Sequence, residues 1–155
     1  MRVLLIEDDG AARFGIELVL RADAMWVDSV DRGEDGIETA RYYDYDVIVL
    51  DLRLPDMNGL EVVRSLRLAK VLTPVVILSG STVLDDKIKA LKTGADDYMT
   101  KPFSAEELTA RLRTLVRRSR GYCDARVCFG PMTLNLVAKT LEAHERKIDL
   151  SAKEY

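Results

Sequence analysis

Three short runs built wholly from apolar residues constrain this chain more than any other feature: Val3-Leu4-Leu5-Ile6, Val47-Ile48-Val49-Leu50 and Val75-Val76-Ile77-Leu78. A strand with one wet face alternates between apolar and polar. A run with no polar break is buried on both faces, as in a parallel sheet covered by helices. Between the runs the spacing turns helical. Ala11, Phe14, Leu18 and Ala22 form the apolar stripe of a first helix, Ile37 and Ala40 mark a second over Gly33–Tyr42, and Leu60, Val63 and Leu66 point inward from a third. Met25–Val30 alternates like a strand nearer an edge, and Pro74 fits the entry of a strand but not its middle. A helix from about Asp85 to Lys92 stops at Gly94, Tyr98–Thr100 is a short fifth strand, and Leu108, Leu112 and Leu115 set the face of a last helix, Glu107–Arg118.

Strict alternation of this kind predicts right-handed crossovers and an α/β fold, a doubly wound five-stranded parallel sheet. Ligands of such sheets bind outside the carboxyl ends of the strands, where the strand order reverses. From Gly121 the texture changes. Arg126–Phe129, Met132–Leu136, Thr140–Ala143 and Lys147–Leu150 are short strand candidates for a small antiparallel sheet, and Ser151-Ala152-Lys153-Glu154 reads as a capping box that opens a helix.

The apolar runs are far shorter than the roughly 20 residues of a membrane-spanning helix, and Met1 to Ile6 leads directly into acids rather than a signal sequence, so a cytoplasmic protein with no membrane partner is expected. Cys123 and Cys128, with His144 the one further soft ligand nearby, read as reduced thiols without a chemical role. The net charge of −3 hides an asymmetry: residues 111–155 hold ten Lys or Arg against five Asp or Glu, and the first 110 residues hold 13 against 21. An acidic front suits a cation, and a basic rear hints at nucleic acid.

Chemistry collects at the predicted carboxyl edge. The first strand ends in Glu7-Asp8-Asp9, the third in Asp51 and the fourth in Ser79-Gly80, and Lys101-Pro102 follows the fifth. Carboxylates about 4 Å apart repel by about 4 kcal/mol at an effective dielectric near 20, so either one keeps its proton or a cation sits among them. Oxygen ligands in small number suit Mg²⁺. The acidic turn after the first strand lacks the glycines of a dinucleotide or P-loop site. A Mg²⁺-dependent phosphohydrolase with a nucleophilic Asp is a competing reading, weakened by Arg53 where that class carries a second Asp.

Four blocks in order, Val3–Asp9, Leu50–Gly59, Ile77–Gly80 and Gly94–Phe103, resemble the receiver domains of two-component response regulators across residues 1–119. Glu7 and Asp96-Asp97-Tyr98 are similar to the OmpR/PhoB winged-helix subfamily, and within it to the cell-cycle regulators of alphaproteobacteria. The resemblance implies a flavodoxin-like receiver over 1–119, a linker over 120–125 and the N-terminal fragment of a winged-helix DNA-binding domain over 126–155, truncated before its recognition helix and wing. It implies Asp51 as phosphoacceptor, supplied by a histidine kinase or histidine phosphotransferase. Mg²⁺ would be held by the carboxylates of Asp8 and Asp51, the Arg53 backbone carbonyl and Glu7 through water. Lys101, ahead of a cis bond to Pro102, would contact the phosphoryl group, with Ser79 and Tyr98 as switch residues. It implies no enzyme beyond self-phosphorylation and self-dephosphorylation. A homodimer would form through the fourth and fifth helices and fifth strand, pairing Lys87 with Glu107, Asp97 with Arg111 and Asp96 with Arg118 around Ile88, Leu91 and Ala110. Promoter DNA and control of cell-cycle-type genes would belong to the full-length protein. Gly80 stands where many receivers have Ala and leaves more room for water beside the phosphoryl pocket, and Arg53 borders the path of attacking water, with the sign of any change in phosphoryl lifetime left open.

Overall fold

The computed structural model describes residues 1–123, 126–129, 132–135, 140–143 and 146–149, the strands after Gly121 by backbone only. Strand and helix alternate from the start: β1 Arg2–Ile6, α1 Gly10–Ala22, β2 Trp26–Val30, α2 Gly33–Tyr42, β3 Val47–Asp51, α3 Gly59–Leu68, β4 Val75–Ser79, α4 Leu84–Thr93, β5 Asp97–Thr100 and α5 Ala105–Ser119. The five strands form one parallel sheet in the order β2-β1-β3-β4-β5. This is the doubly wound, flavodoxin-like strand order that the sequence leads one to expect.

The apolar runs are buried as expected, because helices cover both faces of the sheet. One face sets Leu4, Ile6, Ile48, Leu50, Val75 and Ile77 against Ala40 of α2, Val62, Val63 and Leu66 of α3 and Ala90 of α4. The alternate residues Val3, Leu5, Val47, Val49, Val76 and Leu78 are equally buried, with Ile16 and Leu20 of α1 and Leu108, Leu112 and Leu115 of α5.

The first helix turns a different face inward from the one its longest stripe suggests. Ile16 and Leu20 are buried, whereas Phe14 and Leu18 are 62% and 54% exposed, and Ala11 and Ala22 also face solvent. Both sets keep helical spacing, so periodicity cannot choose between them. The points where α1 must leave β1 and enter β2 fix its phase. Asp9 caps its start, its Oδ1 accepting from the Ala12 N–H at 2.8 Å. At its end Arg113 of α5 donates to the Asp23 carboxylate at 2.7 Å.

Gly94 ends α4 at φ 121°, a left-handed conformation that glycine adopts without a Cβ penalty. Gly59 opens α3 for a different reason: a Cβ there would lie 2.6 Å from the Asp51 carbonyl oxygen. The helix therefore starts in contact with the backbone that carries Asp51. The Lys101–Pro102 bond is cis.

Contacts divide the chain into units Met1–Leu115 and Val116–Tyr155. The second holds β6 Tyr122–Cys123, β7 Arg126–Phe129, β8 Met132–Asn135, β9 Thr140–Ala143 and β10 Arg146–Asp149, an antiparallel sheet in the order β10-β9-β8-β7-β6. Four of these strands match the expected ones within a residue or so. The fifth, Tyr122–Cys123, pairs with Arg126–Val127 inside the stretch expected as linker. The capping box at 151–154 lies outside the described residues. Among those described, no helix is long and apolar enough to cross a membrane.

Candidate metal and phosphoacceptor site

The strand order reverses between β1 and β3, which are hydrogen-bonded neighbours. Their register pairs Ile6 with Leu50, so Glu7 and Asp51 leave the sheet side by side. On the other side of β3, Asp51 pairs with Leu78, and Ser79 pairs with Thr100, the residue before Lys101. Residues up to 94 positions apart in sequence thus meet at one edge because four strand ends are in step.

Glu7, Asp8 and Asp51 each offer a carboxylate oxygen, all within 4.8 Å of one another. Glu7 and Asp51 are buried and Asp8 is exposed. Lys101 Nζ donates to Glu7 Oε2 at 2.8 Å and lies 3.6 Å from Asp51 Oδ1. Burial pushes the Glu7 carboxyl up, the hydrogen bond from Lys101 pulls it back, and the Asp51 charge raises it again. The resemblance gives Lys101 to the phosphoryl group; here its ammonium rests on Glu7, within short reach of Asp51. Three carboxylates against one ammonium leave two negative charges, and the donors are all oxygen. That set fits a hard divalent cation, and Asp8 supplies its open side. Asp9 belongs elsewhere, since its carboxylate is spent on the α1 cap.

Between β3 and α3 the loop is braced at several points. Arg53 and Asn58 form an antiparallel bridge, and Asn58 and Glu61 make a reciprocal capping box at the start of α3. Asp56 reaches across to α2, accepting from the N–H groups of Gly33 and Glu34, each at 2.9 Å. No side chain of α2's own caps that end. Nothing in the sequence marked Asp56, because its acceptors' partners are backbone amides more than twenty residues away. The Arg53 side chain is exposed beside Gly80.

Ser79 and Tyr98, the expected switch pair, converge on a residue the sequence did not single out. The Ser81 N–H donates to the Ser79 hydroxyl at 3.1 Å, and the Tyr98 hydroxyl donates to the Ser81 carbonyl at 3.0 Å. Tyr98 is 3% exposed, so its ring lies inside. The Ser81 hydroxyl also donates to Asp86 at 2.6 Å, tying the loop to α4. A serine two residues beyond a strand end is a turn former, which was the available clue.

The three acids of the α4–β5–α5 face, Asp96, Asp97 and Glu107, are paired within one chain. Arg111 bridges Asp97 at 2.9 Å and Glu107 at 3.2 Å, and Asp96 accepts from Arg67 at 2.9 Å and from the Val75 N–H at 2.8 Å. Lys87, Ala110 and Arg118 are exposed, as are Ile88 and Leu91, each at 40%.

Chemically, the edge can hold a divalent cation, present a carboxylate nucleophile at Asp51 and meet an anion with an ammonium. Comparison with known proteins agrees in kind. The family model of the response regulator receiver domain matches residues 3–113. The Cell cycle response regulator CtrA of Brucella anthropi is 52% identical over all 155 residues, which cover 67% of its length. The receiver domain of a Francisella response regulator superposes with a TM-score of 0.74 at 34% identity, over 76% of this chain and 98% of that one. The receiver domain of a Pseudomonas aeruginosa sensor histidine kinase, crystallised with magnesium in its active-site cleft, gives 0.70 at 30% identity, over 74% and 96%. The chain belongs to the response regulator receiver family and is similar along its whole length to the CtrA regulators.

Proposed function

We propose that this protein is the receiver of a two-component transcription regulator, taking a phosphoryl group on Asp51 from a histidine kinase or histidine phosphotransferase with Mg²⁺ bound. The observation that carries the reading is the cluster of Glu7, Asp8 and Asp51 within 4.8 Å, with Lys101 3.6 Å from Asp51. Asp8 and Asp51 would bind the cation by carboxylate, the Arg53 carbonyl would complete the protein ligands, and Glu7 would act through water. The metal supplies positive charge against the transferring phosphoryl oxygens. An Asp51 oxygen would bond to phosphorus as the phosphorus–nitrogen bond to the donor histidine breaks, leaving the imidazole on the donor, and Lys101 would move from Glu7 toward the new anion.

Phosphorylation adds about one negative charge and strong acceptor oxygens, enough to bias a two-state element. Ser79, whose hydroxyl accepts from the Ser81 N–H and keeps its own proton, would donate to the phosphoryl group, and Tyr98 would report the change through the Ser81 carbonyl. The output is a homodimer through α4, β5 and α5, using Lys87, Ile88, Leu91, Asp96, Asp97, Glu107, Ala110, Arg111 and Arg118. In the full-length protein a winged-helix domain, to which residues 126–155 would contribute, then binds promoter DNA in the cytoplasm and controls cell-cycle-type genes. The 52% identity to CtrA over the whole chain supports that assignment.

The test is labelling by a small acyl phosphate with Mg²⁺. Wild type takes up one phosphoryl group and Asp51→Asn takes up none. Equal labelling of both would refute the acceptor, and steady turnover of phosphate esters would point instead to a phosphohydrolase.

A further inference from the structure

We propose that the free edge of β2 is a docking site for an extended basic segment of a partner protein, which adds a strand to the parallel sheet and seats a Lys or Arg between β2 and α2. The inference is independent of the phosphoacceptor reading. In the sheet order β2 stands at one end, with β1 its neighbour. The Trp26 N–H donates to the Met1 carbonyl at 2.9 Å, and the Val30 carbonyl accepts from the Glu7 N–H at 3.1 Å. Backbone groups point to opposite sides at successive residues of a strand. Trp26, Asp28 and Val30 therefore turn theirs toward β1, and Val27 and Ser29 turn theirs away from the sheet. Among the described residues nothing pairs with those outward N–H and C=O groups.

An open edge is usually blunted by a lysine, a proline or a bulge. Trp26–Val30 has neither residue, and its register with β1 is unbroken. Its one charge, Asp28, is already bound by Arg2 and by the Tyr45 hydroxyl, each at 2.8 Å. Beside this edge lies a cavity of about 390 Å³ lined by Val30, Asp35, Glu38, Thr39, Tyr42 and Tyr43. Asp35 and Glu38 are exposed, and neither carboxylate has a partner among the described residues. The surface continues along the strand. The Arg2 guanidinium carbon lies 5.7 Å from the centre of the Tyr43 ring, and Arg2 stands beside Trp26 in the register. Tyr42 and Trp26 are 76% and 73% exposed.

A strand laid against β2 bonds to Val27 and Ser29 through its main chain and sends alternate side chains to the α2 face, where Trp26, Asp28 and Val30 also point. A cation on that face enters the cavity, where two carboxylates supply charge and the tyrosine rings supply their faces. Charge also selects the occupant. A second copy pairing antiparallel about Asp28 would set Asp28 against Asp28 and bring together two α2 helices, each carrying Glu34, Asp35 and Glu38. A basic segment meets the opposite charge instead.

The probe is a short fluorescein-labelled peptide in which valine and lysine alternate, titrated with the whole chain and read by fluorescence anisotropy. Two further peptides carry glutamate in place of lysine, or a methyl group on every backbone nitrogen. The lysine peptide should bind, the glutamate form about tenfold more weakly or not at all, and the N-methylated form not at all, because its main chain can no longer donate to β2. Asp35→Asn and Glu38→Gln should each weaken binding about threefold at low salt, the scale of an exposed ion pair, and less at high salt. Glu106→Gln, on α5, should leave it unchanged. Ser29→Pro removes one outward N–H from an edge strand, where proline is tolerated, and should abolish binding while the circular dichroism spectrum is kept. The proposal is overturned if no binding is seen at about 1 mM lysine peptide, if the lysine and glutamate peptides bind alike, or if the N-methylated peptide binds as well as its parent. It is equally overturned if Asp35→Asn and Glu38→Gln weaken binding no more than Glu106→Gln does. Sedimentation of the free protein as a dimer that the peptide disperses would give the edge to a second copy and overturn it too.

Discussion

Replacing Asp8 by Asn should make the metal-free protein more stable, and Mg²⁺ should abolish most of the difference. Asp8 is suited to the test because no described residue donates to its carboxylate or pairs with it, so the substitution removes charge with little else. Its oxygen lies within 4.8 Å of one oxygen each of Glu7 and Asp51. At that separation and an effective dielectric near 20, each repulsion amounts to about 3 kcal/mol. Lys101, hydrogen-bonded to Glu7 at 2.8 Å, offsets much of one of them. Asp8 is exposed, and solvent screening reduces the remainder, leaving about 1–2 kcal/mol. Urea unfolding followed by circular dichroism in EDTA should therefore give Asp8→Asn a higher midpoint at unchanged slope. Mg²⁺ at ten times its dissociation constant should stabilise wild type by about 1.4 kcal/mol and the variant far less. A variant no more stable than wild type in EDTA, or equal stabilisation of both by Mg²⁺, would refute the picture of an acidic cluster held under repulsion for a cation.

Two further outcomes test the scaffold. Burial alone would raise the Asp56 carboxyl, but the Glu34 and Gly33 amides outweigh it, with help from Arg32, and hold it below the usual range. A depressed carboxyl gives stability that is present above its unfolded value near 4 and lost as pH falls through the folded one. Asp56→Ala should thus cost about 1 kcal/mol at pH 7, the usual scale of a lost helix cap, with the gap to wild type narrowing below about pH 4; a gap constant across pH would count against the cap. Gly59→Ala should cost about 1–3 kcal/mol by overpacking and impair acyl-phosphate labelling, because its methyl would meet the backbone of Asp51 and Leu52 at 2.6 and 2.9 Å. An unchanged urea midpoint would show that the α3 start is not seated on that backbone.

Much of this fold was legible because buried parallel strands leave a blunt signature. Val3–Ile6, Val47–Leu50 and Val75–Leu78 could hardly be placed elsewhere, and with them came the edge where Glu7, Asp51 and Ser79 emerge. The failures have a common cause. Phe14 and Leu18 keep helical spacing as well as Ile16 and Leu20 do, and the choice between them is made by the crossover. Asp56 and Arg67 act on backbone amides and carbonyls, which every residue has and no sequence pattern displays. The resemblance supplied roles for Lys101 and Tyr98, yet not the resting partner of either. Glu7 and the Ser81 carbonyl become visible only when β1, β4 and β5 stand in register.

The Arg111 bridge bears on how costly any meeting of two such faces would be. Arg111 already satisfies Asp97 and Glu107 in its own chain, so a second chain offering the same groups offers an exchange of partners rather than new ones. Exchange of like for like is close to thermoneutral, and added salt weakens both sides of it together. Net attraction would then have to come from the half-exposed Ile88 and Leu91, a small apolar patch. An association poised so near zero is one that a single added charge can tip.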